Sequence, residues 1–247
     1  MNQDRGDGVS RRCLLGAIAT IPAITTLDAE SALAADTSAA PAPALAPAAS
    51  PGSPAGYAYF SLEESAFVEA MMDTMCPADA LTPSGTDCGL ATFFDRQLAG
   101  GFGSGDRLYM AGPWRAGTPP QGYQHPLDPR SFFSAGIAAA QRACQASSGK
   151  SFQDLSPADR DSFLTAIAGG KVTSDDFALA EWFNELVAPL FEQACFADPI
   201  YGGNRDKVFW KMIGFPGLPA FHAEDVVQYR GKPFPGAADP KSIQDFS

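Results

Sequence analysis

The sequence lacks the motifs with which proteins usually hold redox cofactors and metals. Its 247 residues include two histidines and no Cys-x-x-Cys-His segment, which argues against zinc and covalent c-type haem. No Gly-x-Ser-x-Gly elbow or P-loop occurs. The glycine run Gly100–Gly105 reads as a flexible turn, because Asp106 stands where a dinucleotide motif has its third glycine. We therefore predict no catalytic, cofactor-binding or metal-binding residue in this chain.

Basic residues are also scarce. The chain has 17 Lys and Arg against 28 Asp and Glu, a formal net charge of −11. A protein this acidic is a poor partner for nucleic acid, so we exclude nucleic acid as a ligand class. The sequence has no polybasic patch and no apolar run beyond the N-terminal region, so it gives no indication of direct membrane binding.

The N-terminus has the pattern of a twin-arginine export signal. Arg11 and Arg12 precede the apolar run Cys13–Leu27, which at about fifteen residues is short of the roughly twenty that a membrane helix needs. Ala32–Ala34 fits a cleavage site, so residues 1–34 are predicted to be a leader, with an uncleaved anchor as the alternative. This route carries folded proteins, so the chain either folds around a cofactor or is exported with a partner that does.

The rest of the chain divides into an Ala/Pro-rich linker over residues 35–56 and a helical domain over residues 57–247. We predict an all-α fold, an irregular bundle of about five helices with long Gly/Pro-rich loops. Capping residues and apolar spacing place the helices at Leu62–Cys76, Gly89–Leu98, Pro129–Gly149, Ser156–Gly169 and Thr173–Phe191.

Two further features are predicted near the last helix. Pro189 should kink or break it near Glu185, because proline removes a helical hydrogen bond. Beyond it, Val226 and Val227 favour a short extended piece.

Four cysteines remain once the leader is removed, and an even number in an oxidising compartment indicates disulfides. Cys76–Cys88 is the favoured local pair, closing a loop that contains prolines and a glycine. Cys144 and Cys195 lie near the ends of predicted helices and could pair together, stay as thiols or bridge to a partner chain.

The stretch Asp198–Gly217, here called the aromatic segment, is dense in glycine, proline and aromatic residues. We predict that it faces another polypeptide. Phe209, Trp210 and Phe215 would be the anchors, because aromatic side chains dominate interface energetics. The alternative is that these aromatics are internal core. The turn at its start, Tyr201, Gly202, Gly203 and Asn204, would supply the polar ends and the close backbone approach.

Two other groups of polar residues are candidates for a catalytic or metal-binding site. Glu181 and Glu185 lie one helical turn apart and could form an acid/base pair, but a solvated helix face is the simpler interpretation. His125 has no second histidine or cysteine in ligand spacing and is interpreted as a surface or hydrogen-bonded histidine.

Two motifs of the aromatic segment carry a family resemblance. Tyr201-Gly202-Gly203-Asn204 and the stretch Trp210–Gly217 resemble the signature of the gluconate 2-dehydrogenase subunit 3 family. The twin-arginine leader and the loop Gln121–Gln124 are similar as well, and the likeness runs over Phe60–Asp225.

The resemblance implies a non-catalytic small subunit of a heterotrimeric gluconate 2-dehydrogenase. A large FAD-binding subunit would oxidise the substrate, and a multihaem cytochrome c subunit would pass electrons onward and tie the complex to the inner membrane. The small subunit would assist folding, twin-arginine export and stability of the flavin subunit, on the periplasmic side. The alternatives are a small subunit of a related glucose, fructose or other polyol dehydrogenase, an export chaperone that leaves the mature complex, or a free-standing periplasmic enzyme.

Overall fold

A computed structural model describes residues 56–115, 117–118, 121, 124–174, 177–219 and 221–246. The predicted leader with Arg11 and Arg12, and the linker up to residue 55, lie outside the described residues. The boundaries of these two segments remain predictions.

The described residues contain seven helices and no strand, which confirms the all-α class. The first four are α1 (Leu62–Met75), α2 (Leu90–Ala99), α3 (Pro129–Ser148) and α4 (Pro157–Ala168). Helix α5 joins Leu179–Glu181, a π-helical turn at Trp182–Val187 and Ala188–Phe196; α6 (Val208–Ile213) and α7 (Ala223–Gln228) are short. The first four lie where the sequence places them, within one or two residues.

The helix starts follow the capping signals in the sequence. Ser61 and Glu64 form the predicted capping box: Ser61 Oγ accepts a bond from Glu64 N (3.3 Å), and the Glu64 carboxylate accepts one from Ser61 N (3.0 Å). Asp128 caps α3 by accepting a bond from Ser131 N (2.8 Å). Each cap satisfies an amide that the first helical turn leaves without a partner.

Helix α5 differs from a regular α-helix over Thr173–Phe191 in two places, at its start and just before Pro189. It begins at Leu179 rather than Thr173, because Ser174 and Phe177 pair across a tight turn; Asp175 and Asp176 lie outside the described residues. Near Glu185, where Pro189 predicts a kink or break, the helix has the π-helical turn Trp182–Val187. A π turn bonds to a more distant carbonyl, which accommodates a proline without ending the helix.

The core is centred on α3 and on the π-helical turn of α5. Phe133 of α3 contacts the rings of Phe60, Phe94 and Trp182 at centroid distances of 5.8, 5.6 and 5.9 Å. Trp182 is fully buried, and it fits only because α3 has Gly136 beneath it. The aromatic side chains of α1 and of the 3-10 turn Phe152–Asp154 extend this cluster.

The C-terminal part folds back onto both ends of the aromatic segment. Lys241 N donates to Pro216 O (2.9 Å), and Ile243 N donates to the Asp198 carboxylate (2.9 Å). Val226 lies within α7, so the prediction of an extended piece is wrong there: the acidic residues Glu224 and Asp225 fill the first helical turn, where the helix dipole favours negative charge. No described helix is long and apolar enough to cross a membrane.

Candidate functional site

The aromatic segment begins with a compact turn. Asp198 caps the 3-10 turn Pro199–Tyr201 by accepting a bond from Ile200 N (3.0 Å). Gly202 follows with φ +102, a conformation that favours glycine. The chain then passes through Asn204 into the 3-10 turn Arg205–Lys207 and α6.

Gly203 and Asn204 are internal. A Cβ at Gly203 would lie 2.4 Å from Ala194 O on α5. Asn204 is fully buried at φ +46; its Nδ2 donates to Ala197 O (3.2 Å), and its Oδ1 accepts from Phe209 N (3.0 Å). Asn204 therefore links α5 to α6, and its predicted part as a polar end of an interface needs correction.

Phe209 and Trp210 are also internal, each 5% exposed. Trp210 Nε1 donates to Phe196 O (2.8 Å), and the Phe209 ring meets the Phe196 ring edge-on at 6.1 Å. Their position corrects the prediction of surface anchors. Helix α6 has only six residues, and it turns these two rings toward α5.

Two of the predicted interface aromatics do lie at the surface. Tyr201 is 50% exposed and Phe215 is 42% exposed, beside the exposed Met212 and Ile213 of α6. Whether they contact another chain stays a prediction.

A groove of about 890 Å³ opens beside Tyr201, and sequence reasoning missed it. Its walls are the end of α2, the loop of residues 101–108 and the end of α5. Most of the side chains that line it are apolar: Phe93, Phe102, Leu108, Phe196, Ala197 and Tyr201. The polar ones are Gln97, Asp106, Arg107 and Gln193. Four of these apolar side chains, from Phe102 to Tyr201, are between 36% and 50% exposed.

The glycine-rich loop is built to fold against α2. A Cβ at Gly103 would lie 1.8 Å from Leu98 O, and one at Gly101 would lie 2.5 Å from the Asp106 carboxylate. Arg130 N donates to Gly103 O (3.1 Å), which ties the loop to the start of α3. The glycines thus serve a close backbone approach, which the sequence shows only as a turn-forming run.

Apart from the groove, a polar cluster joins the long loop before α3 to α5. His125 Nε2 lies 3.6 Å from the Glu181 carboxylate and 3.7 Å from that of Glu185, and its ring stacks on Phe132 with centroids 4.2 Å apart. The two glutamates are 56% and 39% exposed. The sequence shows that the two glutamates lie one helical turn apart. It does not show that His125 lies between them, because His125 is more than fifty residues earlier in the chain.

The four cysteines of the folded part are all buried. Cys76 Sγ and Cys88 Sγ lie 3.9 and 3.7 Å from the same carbonyl oxygen, that of Pro83. This places the favoured local pair together. The structure does not show a disulfide, so the pairing, and the fate of Cys144 and Cys195, remain predictions.

No group of three or more histidine, cysteine or acidic side chains suited to a metal ion occurs among the described residues. Of the loop Gln121–Gln124 that contributes to the resemblance, Gly122 and Tyr123 lie outside the described residues.

The fold and the groove together define a small helical protein with a largely apolar surface groove. Comparison with protein families then gives its membership: residues 62–217 match the family described as gluconate 2-dehydrogenase subunit 3. The chain belongs to this family, which confirms the resemblance seen in the sequence. No curated protein and no solved structure matches the chain.

Proposed function

We propose that this chain is the non-catalytic small subunit of a heterotrimeric gluconate 2-dehydrogenase and that it assists folding, export and stability of the FAD-binding subunit. Family membership over residues 62–217 carries the proposal, because the family is named for a subunit of that enzyme. The substrate is gluconate by family alone; glucose, fructose or another polyol is the alternative.

The surface beside Tyr201 supports a role in assembly. Exposed apolar side chains that gather at one place on a protein surface are a feature of protein contact sites. Here Phe102, Leu108, Phe196 and Tyr201 border one groove, with Tyr109 on the adjoining loop 80% exposed. We therefore place the proposed docking surface at this rim and not at Phe209 and Trp210, which are buried.

The proposed partners are an FAD-binding large subunit and a multihaem cytochrome c subunit. The sequence contains neither a complete Gly-x-Gly-x-x-Gly motif nor Cys-x-x-Cys-His, so both cofactors are assigned to partner chains. Arg11 and Arg12 would direct export of the folded pair to the periplasm, where the cytochrome subunit would hold the complex at the inner membrane.

A paired change at the groove rim tests this proposal. The variant Tyr201→Ala/Phe102→Ala removes two exposed rings, so we expect about tenfold or greater loss of the co-purifying flavin subunit. The unfolding midpoint of the small chain should hardly move, because both side chains are at least 40% exposed. The matched control is Phe221→Ala/Phe246→Ala, which removes two rings that are 80% and 73% exposed and lie outside the groove. Equal recovery of flavin with both variants would contradict the proposed docking surface.

A free-standing enzyme is the second candidate, and the cluster of His125, Glu181 and Glu185 is the observation that favours it. A neutral histidine flanked by carboxylates can accept a proton from a substrate hydroxyl. Under this alternative the isolated chain would oxidise a sugar acid with an artificial acceptor, and His125→Gln would abolish turnover. Our proposal predicts no turnover by the isolated chain.

A further inference from the structure

Helix α2 presents two neighbouring stripes of side chains to two different depressions. Phe93 and Gln97, four residues apart, line the apolar groove. Thr92 and Arg96, also four residues apart, line a smaller polar pocket of about 280 Å³. Residues four apart lie on one face of a helix, so the two depressions run side by side along α2.

The turn that begins the aromatic segment separates the two depressions. Tyr201 lines the groove, and the next residue, Gly202, lines the pocket. A Cβ at Gly202 would lie 3.1 Å from Arg96 Nη1, so the glycine leaves room for the guanidinium. The two depressions are thus adjacent, because consecutive residues of the turn line them.

Two arginines in the pocket are held in place by backbone carbonyls. Arg96 Nη1 donates to Ile200 O (3.4 Å), and Arg205 Nη1 donates to Asp87 O (3.0 Å). The backbone of Arg205 is fixed as well, by its N–H to Cys88 O (2.9 Å). A guanidinium has five N–H donors, so each arginine keeps most of its donors for a ligand.

Neither arginine has a carboxylate partner among the described residues. Asp206 also lines the pocket, yet no ion pair within 4.0 Å joins it to Arg96 or Arg205. Both arginines are exposed, and the pocket lining sets them against a single carboxylate, that of Asp206, so it carries an excess of one positive charge in a chain with a formal charge of −11. The pocket is therefore a place where an anionic group would be stabilised.

We infer that the groove and the arginine pocket together receive one segment of a partner chain, in which a carboxylate side chain lies next to an apolar side chain. The carboxylate would accept hydrogen bonds from Arg96 and Arg205, and the apolar side chain would fill the groove beside Tyr201. This inference rests on the proposed function, and it specifies the chemistry of the partner segment. A free small anion would explain the arginines but would leave the adjoining apolar groove without an occupant.

Charge variants of the full chain, co-expressed with its flavin subunit, test this inference. Arg96→Glu/Arg205→Glu should lower recovery of the flavin subunit at least about tenfold, because like charges would face each other across the interface. Arg96→Lys/Arg205→Lys keeps the charge and should retain most of the recovery. Lys150→Glu/Lys171→Glu is the matched control: it makes the same change in net charge at exposed positions outside both depressions, and should leave recovery unchanged.

A photo-cross-linker placed at Gln97 identifies the partner segment, and changing its carboxylate to lysine should restore recovery with Arg96→Glu/Arg205→Glu. Full recovery with Arg96→Glu/Arg205→Glu, or a cross-linked segment without Asp or Glu, would overturn the inference while the function of the chain as a subunit stands. Failure of the unmodified chain to recover any flavin subunit would overturn both.

Discussion

At the residue scale, Trp210 is the residue whose position in the structure differs most from its predicted position. The sequence makes it a surface anchor, whereas the structure buries its ring and satisfies its Nε1 with Phe196 O. We therefore expect Trp210→Ala to destabilise this chain by about 3–5 kcal/mol, the usual cost of removing a buried tryptophan ring. Chemical denaturation measures this cost.

Phe215→Ala is the control for Trp210. Its ring meets that of Trp210 edge-on at 5.1 Å but is 42% exposed, so its loss should cost about 1 kcal/mol or less. An unchanged denaturation midpoint for Trp210→Ala, with loss of partner recovery alone, would restore the interpretation of Trp210 as an anchor.

His222 gives a pH-dependent contribution to the fold. The protonated His222 ring donates to the Asp225 carboxylate (Nδ1 to Oδ2, 2.9 Å) and to Gly217 O (Nε2 to O, 3.4 Å), and these bonds raise the pKa of His222 above its usual value. A raised pKa means that the charged ring stabilises the folded state below a pH of about 6.5, and that this contribution is lost as the pH rises through the folded pKa.

The titration of the His222 ring by NMR checks this prediction. His125→Gln leaves His222 as the only histidine and so assigns its signal. Asp225→Asn should lower the pKa of His222. A pKa of His222 at or below that of an unfolded peptide would contradict the observed contacts.

At the element scale, the contact between α3 and the π-helical turn of α5 organises the core. A Cβ at Gly136 would lie 2.2 Å from Trp182 Nε1, far inside van der Waals contact. We expect Gly136→Ala to destabilise the chain by about 1–3 kcal/mol by forcing the two helices apart. In a double-mutant cycle with Trp182→Phe, the smaller ring should recover part of this loss; strict additivity would show that the two residues do not interact.

The predictable part of the fold is the part set by local sequence. The capping box of Ser61 and Glu64, and the proline at the start of α3, act within one helical turn, so their positions could be predicted. The start of α5 could not, because Ser174 pairs with Phe177 across a turn, and the Phe177 ring packs on Phe132 of α3 with centroids 5.2 Å apart. The six residues of α6 are too few for their spacing to show that Phe209 and Trp210 face inward.

The candidate site was the least predictable feature, because its parts are distant in sequence. The groove joins α2 and its following loop to the end of α5 and Tyr201, about a hundred residues later. The Arg96 contact to Ile200 O spans 104 positions. A single sequence shows the glycines and arginines that build these depressions, but not that they meet.

At the scale of the whole molecule, this is an acidic helical member of the gluconate 2-dehydrogenase subunit 3 family. The core is formed by α1 to α5, and the aromatic segment lies at its edge with part of its apolar surface turned outward. Membership of a dehydrogenase subunit family suggests that partner subunits exist. The groove and the arginine pocket are suited to a partner segment that has an apolar side chain beside a carboxylate.

The most direct test of this account is to purify the native chain from its own host and measure what accompanies it. We expect a stoichiometric complex that shows both flavin and haem absorbance and oxidises gluconate, and a dissociated small chain without flavin or turnover. A chain that purifies alone and oxidises a sugar acid by itself would show that it is not the non-catalytic subunit proposed above.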